Sequence, residues 1–379
     1  MSARTSSGPG IATRVFGSQW FVSVLAVLIA FAIGAILIAL SGASVVDAYY
    51  AMFRGSIVDP NAANAVRMIK PLTDSLFYSI PLIISGLGLA LGFRAGLFNI
   101  GGKGQIIVGA LAAVWVGFAV SLPPVVHTLV ALLVAVIAGG LYGGIAGVLK
   151  AKTGANEVIV TIMLNSIATL GLGYTLAQKA WQVPGTNQPV TPKVADSAAL
   201  VRLLPAPFKL HVGFLVAIVA LGVFWWLIER STLGFQIRAV GANAAAARTA
   251  GISVERITAI TMVLSGAFLG LAGANEALGT IGYVSRDVAG SIGFDAITVA
   301  LLGRNKTWGT FGAGLLFGAF KAGGYTMQAK GVPIDMILIL QSVIVLLIAA
   351  PALVRWLFRL PDVRALAANT RKGNADEHK

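Results

Sequence analysis

Long apolar segments recur along almost the whole chain, and they constrain the fold more than any other feature. A membrane-spanning helix needs roughly 20 largely apolar residues to cross about 30 Å of hydrocarbon. Apolar residues make up 57% of the chain and charged residues 11%, which excludes an ordinary soluble protein. The sequence therefore predicts an all-α integral membrane protein, a polytopic bundle of about ten transmembrane helices. The predicted spans are residues 20–40, 73–95, 106–120, 126–149, 158–176, 212–228, 257–278, 293–302, 309–320 and 335–357.

The basic residues predict how this bundle is oriented. Residues 1–18 form a polar N-terminal tail and residues 358–379 a charged C-terminal tail, on either side of a membrane domain at residues 19–357. Lysine and arginine concentrate in the cytoplasmic loops of membrane proteins. Most of the 28 basic residues fall in cytoplasmic segments if both tails are cytoplasmic. Topology thus accounts for the net charge of +14, and nucleic-acid binding is not expected.

Two parts of the membrane domain resemble each other. Residues 84–86 (ISG) recur as residues 264–266 (LSG), and matched leucines follow each of them. The two units, at about residues 73–176 and 257–357, start an odd number of spans apart, so we predict an inverted internal repeat. Inverted repeats are typical of transporters, with the solute path at the repeat interface. Lys321 also has a counterpart in the first unit and is then expected at a membrane surface.

Glycines at four-residue spacing predict close packing between helices. Small residues one turn apart allow helix backbones to approach in a membrane, where hydrophobicity does not drive helices together. A mobile seam between helices is the functional alternative. The spacings are Gly139, Gly143 and Gly147, then Gly266 and Gly270, then Gly314 and Gly318.

An insert at residues 231–254 separates the sixth and seventh predicted spans. A short turn would connect two membrane helices, so an insert of this length needs a reason. Residues 243–248 (NAAAAR) are good helix formers that lie between Gly241 and Gly251. The charge distribution places the whole loop, residues 230–256, in the cytoplasm. We interpret it as a docking helix for another protein, and a plain positively charged anchor is the alternative.

The sequence lacks the patterns typical of enzymes. It has no cysteine, three histidines without metal-ligand spacing, and neither a G-x-S-x-G nor an H-E-x-x-H motif. Its glycine-rich segment at residues 101–104 fails the P-loop pattern, because Leu97 and Gly104 stand where glycine and a serine or threonine are required. We therefore expect no enzyme activity, no bound metal and no bound ATP, and any ATP hydrolysis must come from another subunit.

Polar residues near membrane depth are the candidates for a solute path, because burying them costs free energy. Residues 96–105 are expected to be too irregular for a helix interior. Amides both donate and accept hydrogen bonds, which suits hydroxyl-rich or heterocyclic solutes. Hydrogen bonding between helices is an equally good explanation for any one of them. The candidates are Asn99, Gln105, Asn156, Glu157, Asn165, Glu276 and Asp295.

At these residues the sequence resembles the membrane-spanning permeases of bacterial ABC importers for nucleosides and simple sugars. These permeases are related to ribose and branched-chain amino acid permeases. Five blocks carry the resemblance, in family order: residues 96–105 (GLFNIGGKGQ), 154–168 (GANEVIVTIMLNSIA), 232–252 (TLGFQIRAVGANAAAARTAGI), 265–279 (SGAFLGLAGANEALG) and 293–304 (GFDAITVALLGR). The sequence departs from the family at Lys103, where an acidic residue is usual, and near Thr307, where proline is favoured.

The resemblance implies a permease subunit in the bacterial plasma membrane, among membrane lipids. Its implied partners are a second homologous permease, an extracytoplasmic substrate-binding lipoprotein and a cytoplasmic ABC ATPase that holds ATP and Mg²⁺. The solute would be a nucleoside or a sugar, and the seven polar candidates would lie near its path. An ion- or proton-coupled secondary transporter is the alternative function. The residues that match the family's ATPase-coupling block are Arg238, Ala239, Gly241, Asn243, Ala246 and Gly251.

Overall fold

The computed structural model describes residues 19–349, and these residues are helical apart from loops and one isolated β-bridge between Arg202 and His211. The two predicted tails, residues 1–18 and 358–379, lie outside the described residues, as do residues 350–357 of the tenth predicted span. The α-helices of the described part are α1 Gln19–Leu40, α2 Val45–Ser56, α3 Ala65–Arg94, α4 Gly102–Ala119, α5 Val126–Thr153, α6 Glu157–Ala177, α7 Gly213–Trp225, α8 Thr232–Ala242, α9 Ala244–Thr249, α10 Val254–Asn275, α11 Ile292–Leu302, α12 Thr307–Gln328 and α13 Ile334–Ala349.

Two helices continue as π-helices, in which the backbone hydrogen bonds reach one residue further than in an α-helix. Helix α7 continues as Trp226–Arg230, and helix α10 continues as Glu276–Ile281. Among the described residues, six helices are long and apolar enough to cross a membrane: α3, α4, α5, α6, α7 and α10, the last two with their π-helical ends. Two shorter apolar helices, Val27–Leu40 and α11, accompany them. The prediction of a polytopic all-helical membrane protein is confirmed.

The start of α4 corrects one expectation. Residues 96–105 were expected to be irregular throughout, but α4 begins at Gly102 and includes Lys103, Gly104 and Gln105. A glycine-rich first turn is stable here because a side chain binds its free backbone group: Asn165 Oδ1 accepts the Gly104 N–H at 2.8 Å. Only residues 95–101 remain outside a helix between α3 and α4.

The chain divides into two compact units. The smaller unit has its described part in residues 19–51 and 327–349, and there α1 packs against α13. In the same unit, the Tyr49 ring lies 5.3 Å from the Phe31 ring, and the Tyr49 hydroxyl donates to the Phe31 carbonyl oxygen at 2.5 Å. This contact fixes α2 to α1.

The larger unit, Met52–Thr326, is built around α10, which packs against α3, α4 and α5. Helices α5 and α10 meet backbone to backbone. A Cβ added to Gly139 would lie 2.6 Å from the Gly270 Cα, and one added to Gly266 would lie 3.0 Å from the Gly143 Cα. Side chains larger than hydrogen do not fit in this contact, so the close packing predicted from the glycine spacing is confirmed.

The two ends of α10 meet different parts of the larger unit. At its C-terminal end, the loop of residues 178–212 folds over the π-helix: Leu200 N–H donates to the Leu278 carbonyl at 3.1 Å, and Val194 N–H to the Gly282 carbonyl at 3.0 Å. At its N-terminal end, α8 and α9 precede it directly in the chain. The larger unit therefore carries two candidate sites at opposite ends of one helix.

Candidate functional site

Two helices form the insert that the sequence singled out, which we call the docking segment (residues 231–254). Helix α9 matches the predicted docking helix, and Asn243 caps it by accepting the Ala246 N–H at 3.0 Å. Gly251 ends the turn after α9 with φ +81°, a conformation that favours glycine. Helix α8 was not foreseen, and Ser231 caps it by accepting the Gly234 N–H at 2.9 Å.

The docking segment presents a mostly apolar groove with a volume of about 540 Å³. Phe235, with 60% of its surface exposed, lies on one wall. Ala239, Asn243 and Ala246, which belong to the predicted coupling residues, also line the groove. The small side chains leave room for an inserted side chain or helix of another protein. Arg238, half-buried on α8, adjoins Ala239.

Gly241 joins the docking segment to the end of α3. A Cβ at this position would overlap the Arg94 carbonyl oxygen and would lie 2.9 Å from the Ala95 carbonyl carbon. The end of α3 is also held on its other side, because Arg94 Nε donates to the Asn305 carbonyl at 2.8 Å. Gly241 therefore brings α8 into direct backbone contact with the end of α3.

Two of the predicted path residues, Asn99 and Gln105, form a buried amide network just beyond the end of α3, and the half-buried Asn165 binds the same backbone segment. Asn99 Nδ2 donates to Gln105 Oε1 at 3.0 Å and to Ser265 Oγ at 2.9 Å, while its Oδ1 accepts the Gly101 N–H at 2.9 Å. Asn165 Nδ2 donates to the Ile100 carbonyl at 2.8 Å. These amides bind two backbone groups of the non-helical segment 95–101, the Gly101 N–H and the Ile100 carbonyl. The assignment of these amides to the solute path stays a prediction.

Asn156 and Glu157 lie at the start of α6. Asn156 Oδ1 accepts the Val158 N–H at 2.9 Å and so caps the helix. The Glu157 carboxylate pairs with Lys150 Nζ at 2.6 Å and accepts the Phe98 N–H at 3.4 Å. Both residues therefore have local structural partners, and their assignment to the path also stays a prediction.

At the other end of α10, a polar cavity of about 440 Å³ opens between α3, α12 and the π-helix Glu276–Ile281. Tyr78 and Tyr325 both line it and pack against each other, with ring centroids 5.3 Å apart and planes tilted by 38°. The exposed cations Arg202 and Lys209 lie on the loop that covers this end. The other lining residues used below are Phe77, Glu276, Thr280 and Lys321.

Lys321 is the lining cation that lies near carboxylates. This lysine interacts electrostatically with both Glu276 and Asp295. Asp295 Oδ2 accepts the Ser291 hydroxyl at 2.7 Å. Of the seven predicted path residues, Glu276 lines the cavity, whereas Asp295 and the amide network do not contribute to its lining.

Sequence reasoning missed Tyr78, Tyr325, Thr280 and Lys321. The lysine carried a usable signal, because a cation inside an apolar helix marks a functional site by default. The repeat comparison instead favoured a membrane surface for Lys321. The two tyrosines carried no signal, since a single aromatic residue in an apolar segment is typical of packing.

A buried polar pair lies behind the cavity wall. The His211 ring packs edge-on against Phe77, 5.5 Å between centroids, and its Nδ1 accepts the Gly213 N–H at 3.1 Å. Within the described part of the chain, His211 Nε2 and the side-chain amide of Asn275 have no hydrogen-bond partner.

Burial lowers the pKa of the His211 imidazole to about 4. An unfolded histidine titrates near 6.5, so between these pH values the unfolded chain binds the extra proton. We expect the thermal stability of the purified protein to decrease as the pH falls from 7 to about 4. The His211→Gln variant should show a shallower decrease over the same range. Equal pH slopes for the two proteins in thermal unfolding would contradict the assignment.

The comparison with known families decides the identity. The family described as "branched-chain amino acid transport system / permease component" matches residues 72–349, which include both the docking segment and the polar cavity. The chain belongs to this family. This permease component is therefore a transport protein and not an enzyme, and it is a multi-pass membrane protein.

Curated relatives cover nearly the whole permease component. It is 39% identical to the guanosine ABC transporter permease protein NupP of Bacillus subtilis, over 89% of this chain and 95% of the relative. It is 35% identical to the glucose ABC transporter permease protein TsgB13 of Haloferax volcanii, over 85% of each chain. It is 31% identical to the nucleoside ABC transporter permease protein NupB of Lactococcus lactis, over 92% of this chain and 95% of the relative. No solved structure matches the chain.

Proposed function

We propose that this chain is the membrane-spanning subunit of a bacterial ABC importer that moves nucleosides, or related simple sugars, across the plasma membrane. The names of its relatives support this solute class, because two of the three described above are nucleoside or guanosine permeases and one is a glucose permease. Family membership favours this function over an ion- or proton-coupled secondary transporter.

The polar cavity is the observation that carries the proposal. A nucleoside combines a flat heterocycle with a hydroxyl-rich ribose. Two tyrosine rings provide a stacking surface for the heterocycle, while Glu276, Thr280 and Lys321 provide hydrogen-bonding groups. The cavity volume of about 440 Å³ lies in the range of small-molecule sites.

The topology that we propose has about ten spans and both termini in the cytoplasm. The helices α1, α3–α7 and α10–α13 would be the spans. The inverted repeat would relate α3–α6 to α10–α13. In this orientation the docking segment faces the cytoplasm and the polar cavity faces the outside. The positive charge of the docking segment, with Arg238 and Arg248, supports this assignment.

The partners that we propose follow from the two sites. A cytoplasmic ABC ATPase, which holds ATP and Mg²⁺, would insert into the groove of the docking segment. A substrate-binding lipoprotein would deliver solute at the polar cavity, and a second homologous permease would complete the membrane part. ATP binding would displace α8 and α9, and Gly241 would transmit the displacement to the end of α3. Access to the cavity would then alternate between the two sides.

Reconstitution tests this function. The permease, its ATPase, the second permease and the lipoprotein would be incorporated into proteoliposomes, and labelled nucleosides and sugars would be supplied. We expect nucleoside uptake that needs ATP and that stops when the ATPase can no longer hydrolyse it. Uptake by the permease alone under an ion gradient, without nucleotide, would establish the secondary transporter instead.

Tyr78 provides a sharper test of the cavity. We expect Tyr78→Leu to reduce nucleoside uptake at least about tenfold, because stacking on an aromatic side chain contributes roughly 1–3 kcal/mol per base. Tyr78→Phe keeps the ring and should retain most of the uptake. Both variants are compared by their initial rates of nucleoside uptake in proteoliposomes. If the two variants transport equally well, the ring does not contact the solute.

A further inference from the structure

We propose that the hydrogen bond between Glu229 and Thr307 is a second coupling contact, through which the docking segment moves α12 and with it the Tyr325 side of the polar cavity. Glu229 and Thr307 would then be positioning residues for transport, since neither of them lines the cavity. This inference rests on the proposed function and deepens it, because it assigns part of the link between ATP hydrolysis and the cavity to two named side chains.

Glu229 and Thr307 meet although they lie far apart in the sequence. The Thr307 hydroxyl donates to Glu229 Oε1 at 3.1 Å. Thr307 is buried and is the first residue of α12, whereas Glu229 is exposed on the π-helix Trp226–Arg230. The bond thus joins the start of α12 to the element that leads into the docking segment. The stabilising effect of a carboxylate near the start of a helix is the purely structural alternative.

The π-helix that carries Glu229 is fixed to α8 of the docking segment. Ser231 Oγ donates to the Leu227 carbonyl at 2.6 Å and accepts the Gly234 N–H at 2.9 Å. A Cβ added to Gly234 would overlap the Leu227 carbonyl oxygen, so the backbones of α8 and the π-helix are in contact. We therefore expect Glu229 to move together with α8.

The residues just before α12 have an unusual backbone conformation. Arg304 and Asn305 have φ of +54° and +55°, in the left-handed region that residues other than glycine seldom adopt. Such a conformation persists where surrounding contacts hold it. Here the Asn305 carbonyl accepts from Arg94 Nε at 2.8 Å, and Glu229 binds Thr307 two residues further on. The start of α12 is thus bound both to the end of α3 and to the π-helix.

Helices α3 and α12, which the docking segment contacts in this way, carry the two tyrosines of the polar cavity. Gly241 of α8 contacts the end of α3 at Arg94, and Glu229 contacts the start of α12. An α-helix rises 1.5 Å per residue, so Tyr78 lies roughly 24 Å along α3 from Arg94, and Tyr325 lies roughly 27 Å along α12 from its start. A movement delivered to one helix alone would shift one ring. Both contacts are therefore needed to move the ring pair as a whole.

The test measures nucleoside uptake and ATP hydrolysis together in proteoliposomes that contain the complete importer. Thr307→Val removes the hydroxyl at nearly the same side-chain volume, and Glu229→Ala removes the carboxylate. We expect each variant to hydrolyse about fivefold more ATP per nucleoside transported, which corresponds to the loss of one hydrogen bond of ordinary net strength. The double variant should show no larger increase, because both substitutions remove the same contact.

Two conservative variants and one control separate this contact from a general disturbance of the protein. Thr307→Ser keeps the hydroxyl and Glu229→Gln keeps an acceptor oxygen, so both should hydrolyse the wild-type amount of ATP per nucleoside. Thr175→Val is the matched control, because the Thr175 hydroxyl donates to the Gly171 carbonyl of its own helix at 2.8 Å. It should also keep the wild-type ratio of ATP to nucleoside.

The inference is overturned if Thr307→Val and Glu229→Ala lower the thermal stability but leave the ratio of ATP to nucleoside unchanged, since the contact would then be structural only. An additive increase in the double variant would also overturn it, since the two side chains would act independently. Glu229 is exposed, so Glu229→Ala with Glu229→Gln still decides the question if Thr307→Val does not fold. Failure of the wild-type importer to take up any nucleoside with ATP would instead refute the proposed function, so the two failures are distinguishable.

Discussion

Replacing Gly241 by alanine should reduce ATP-driven uptake at least about tenfold while the protein still inserts into the membrane. The added methyl group would overlap the backbone of Arg94 and Ala95 at the end of α3. Backbone atoms cannot move aside as a flexible side chain does, so α8 and α3 must separate. Because Gly241 is exposed on its other side, the overlap disturbs this contact more than it disturbs the core.

The measurement compares uptake with ATP hydrolysis in the reconstituted importer. We expect the Gly241→Ala variant to retain the ATPase subunit on purification but to hydrolyse ATP without moving solute. Gly222→Ala is the matched control, because this helical glycine of α7 has open space around an added Cβ. Wild-type uptake by Gly241→Ala would exclude this contact as the route of coupling.

We also expect a large effect from Asn99→Leu, which should lower the stability of the folded protein. The substitution removes the bonds to Gln105 and Ser265 and leaves the buried Gly101 N–H without its acceptor. Each buried polar group left unsatisfied costs about 1–3 kcal/mol. We therefore expect the thermal unfolding temperature in detergent to fall by about 5 °C or more.

The same variant tests whether the amide network lies on the solute path. A loss of stability with an unchanged KM in the surviving protein would assign Asn99 a structural role. A changed KM at an unchanged unfolding temperature would support the path prediction and contradict the structural one. Gln178→Leu is the control, because it replaces an exposed amide at the end of α6.

The membrane class was predictable because hydrophobic patterning acts locally. A membrane helix needs a run of apolar residues wherever it lies, so a polytopic helical protein could be predicted from the sequence alone. The docking helix was predictable for a similar reason, since α9 depends on its own alanines and on the Asn243 cap. Helix α8 was missed because Gly234 and Gly241 weaken its intrinsic helix preference, and packing against the π-helix Trp226–Arg230 and against α3 compensates.

The polar cavity was not predictable in the same way because it joins residues that are distant in sequence. Tyr78, Glu276 and Lys321 come from α3, the π-helix after α10, and α12. Only tertiary packing places them together. The amides Asn99 and Gln105 were singled out because they are unusual in an apolar chain, and in the structure they bond to each other, to the Gly101 N–H and to Ser265.

The glycine contacts between α5 and α10 have a mechanical consequence for the whole transport cycle. With no side chains between the backbones at Gly139 and Gly270, the two helices cannot slide without overlap, so we expect them to form a stationary frame. The conformational changes of the transport cycle must then occur in helical segments whose backbone hydrogen bonds are less regular. The π-helix Trp226–Arg230 leads into the docking segment, and the π-helix Glu276–Ile281 lines the polar cavity. We expect these two short π-helices to act as hinges, while α5 and α10 between them move as a rigid unit.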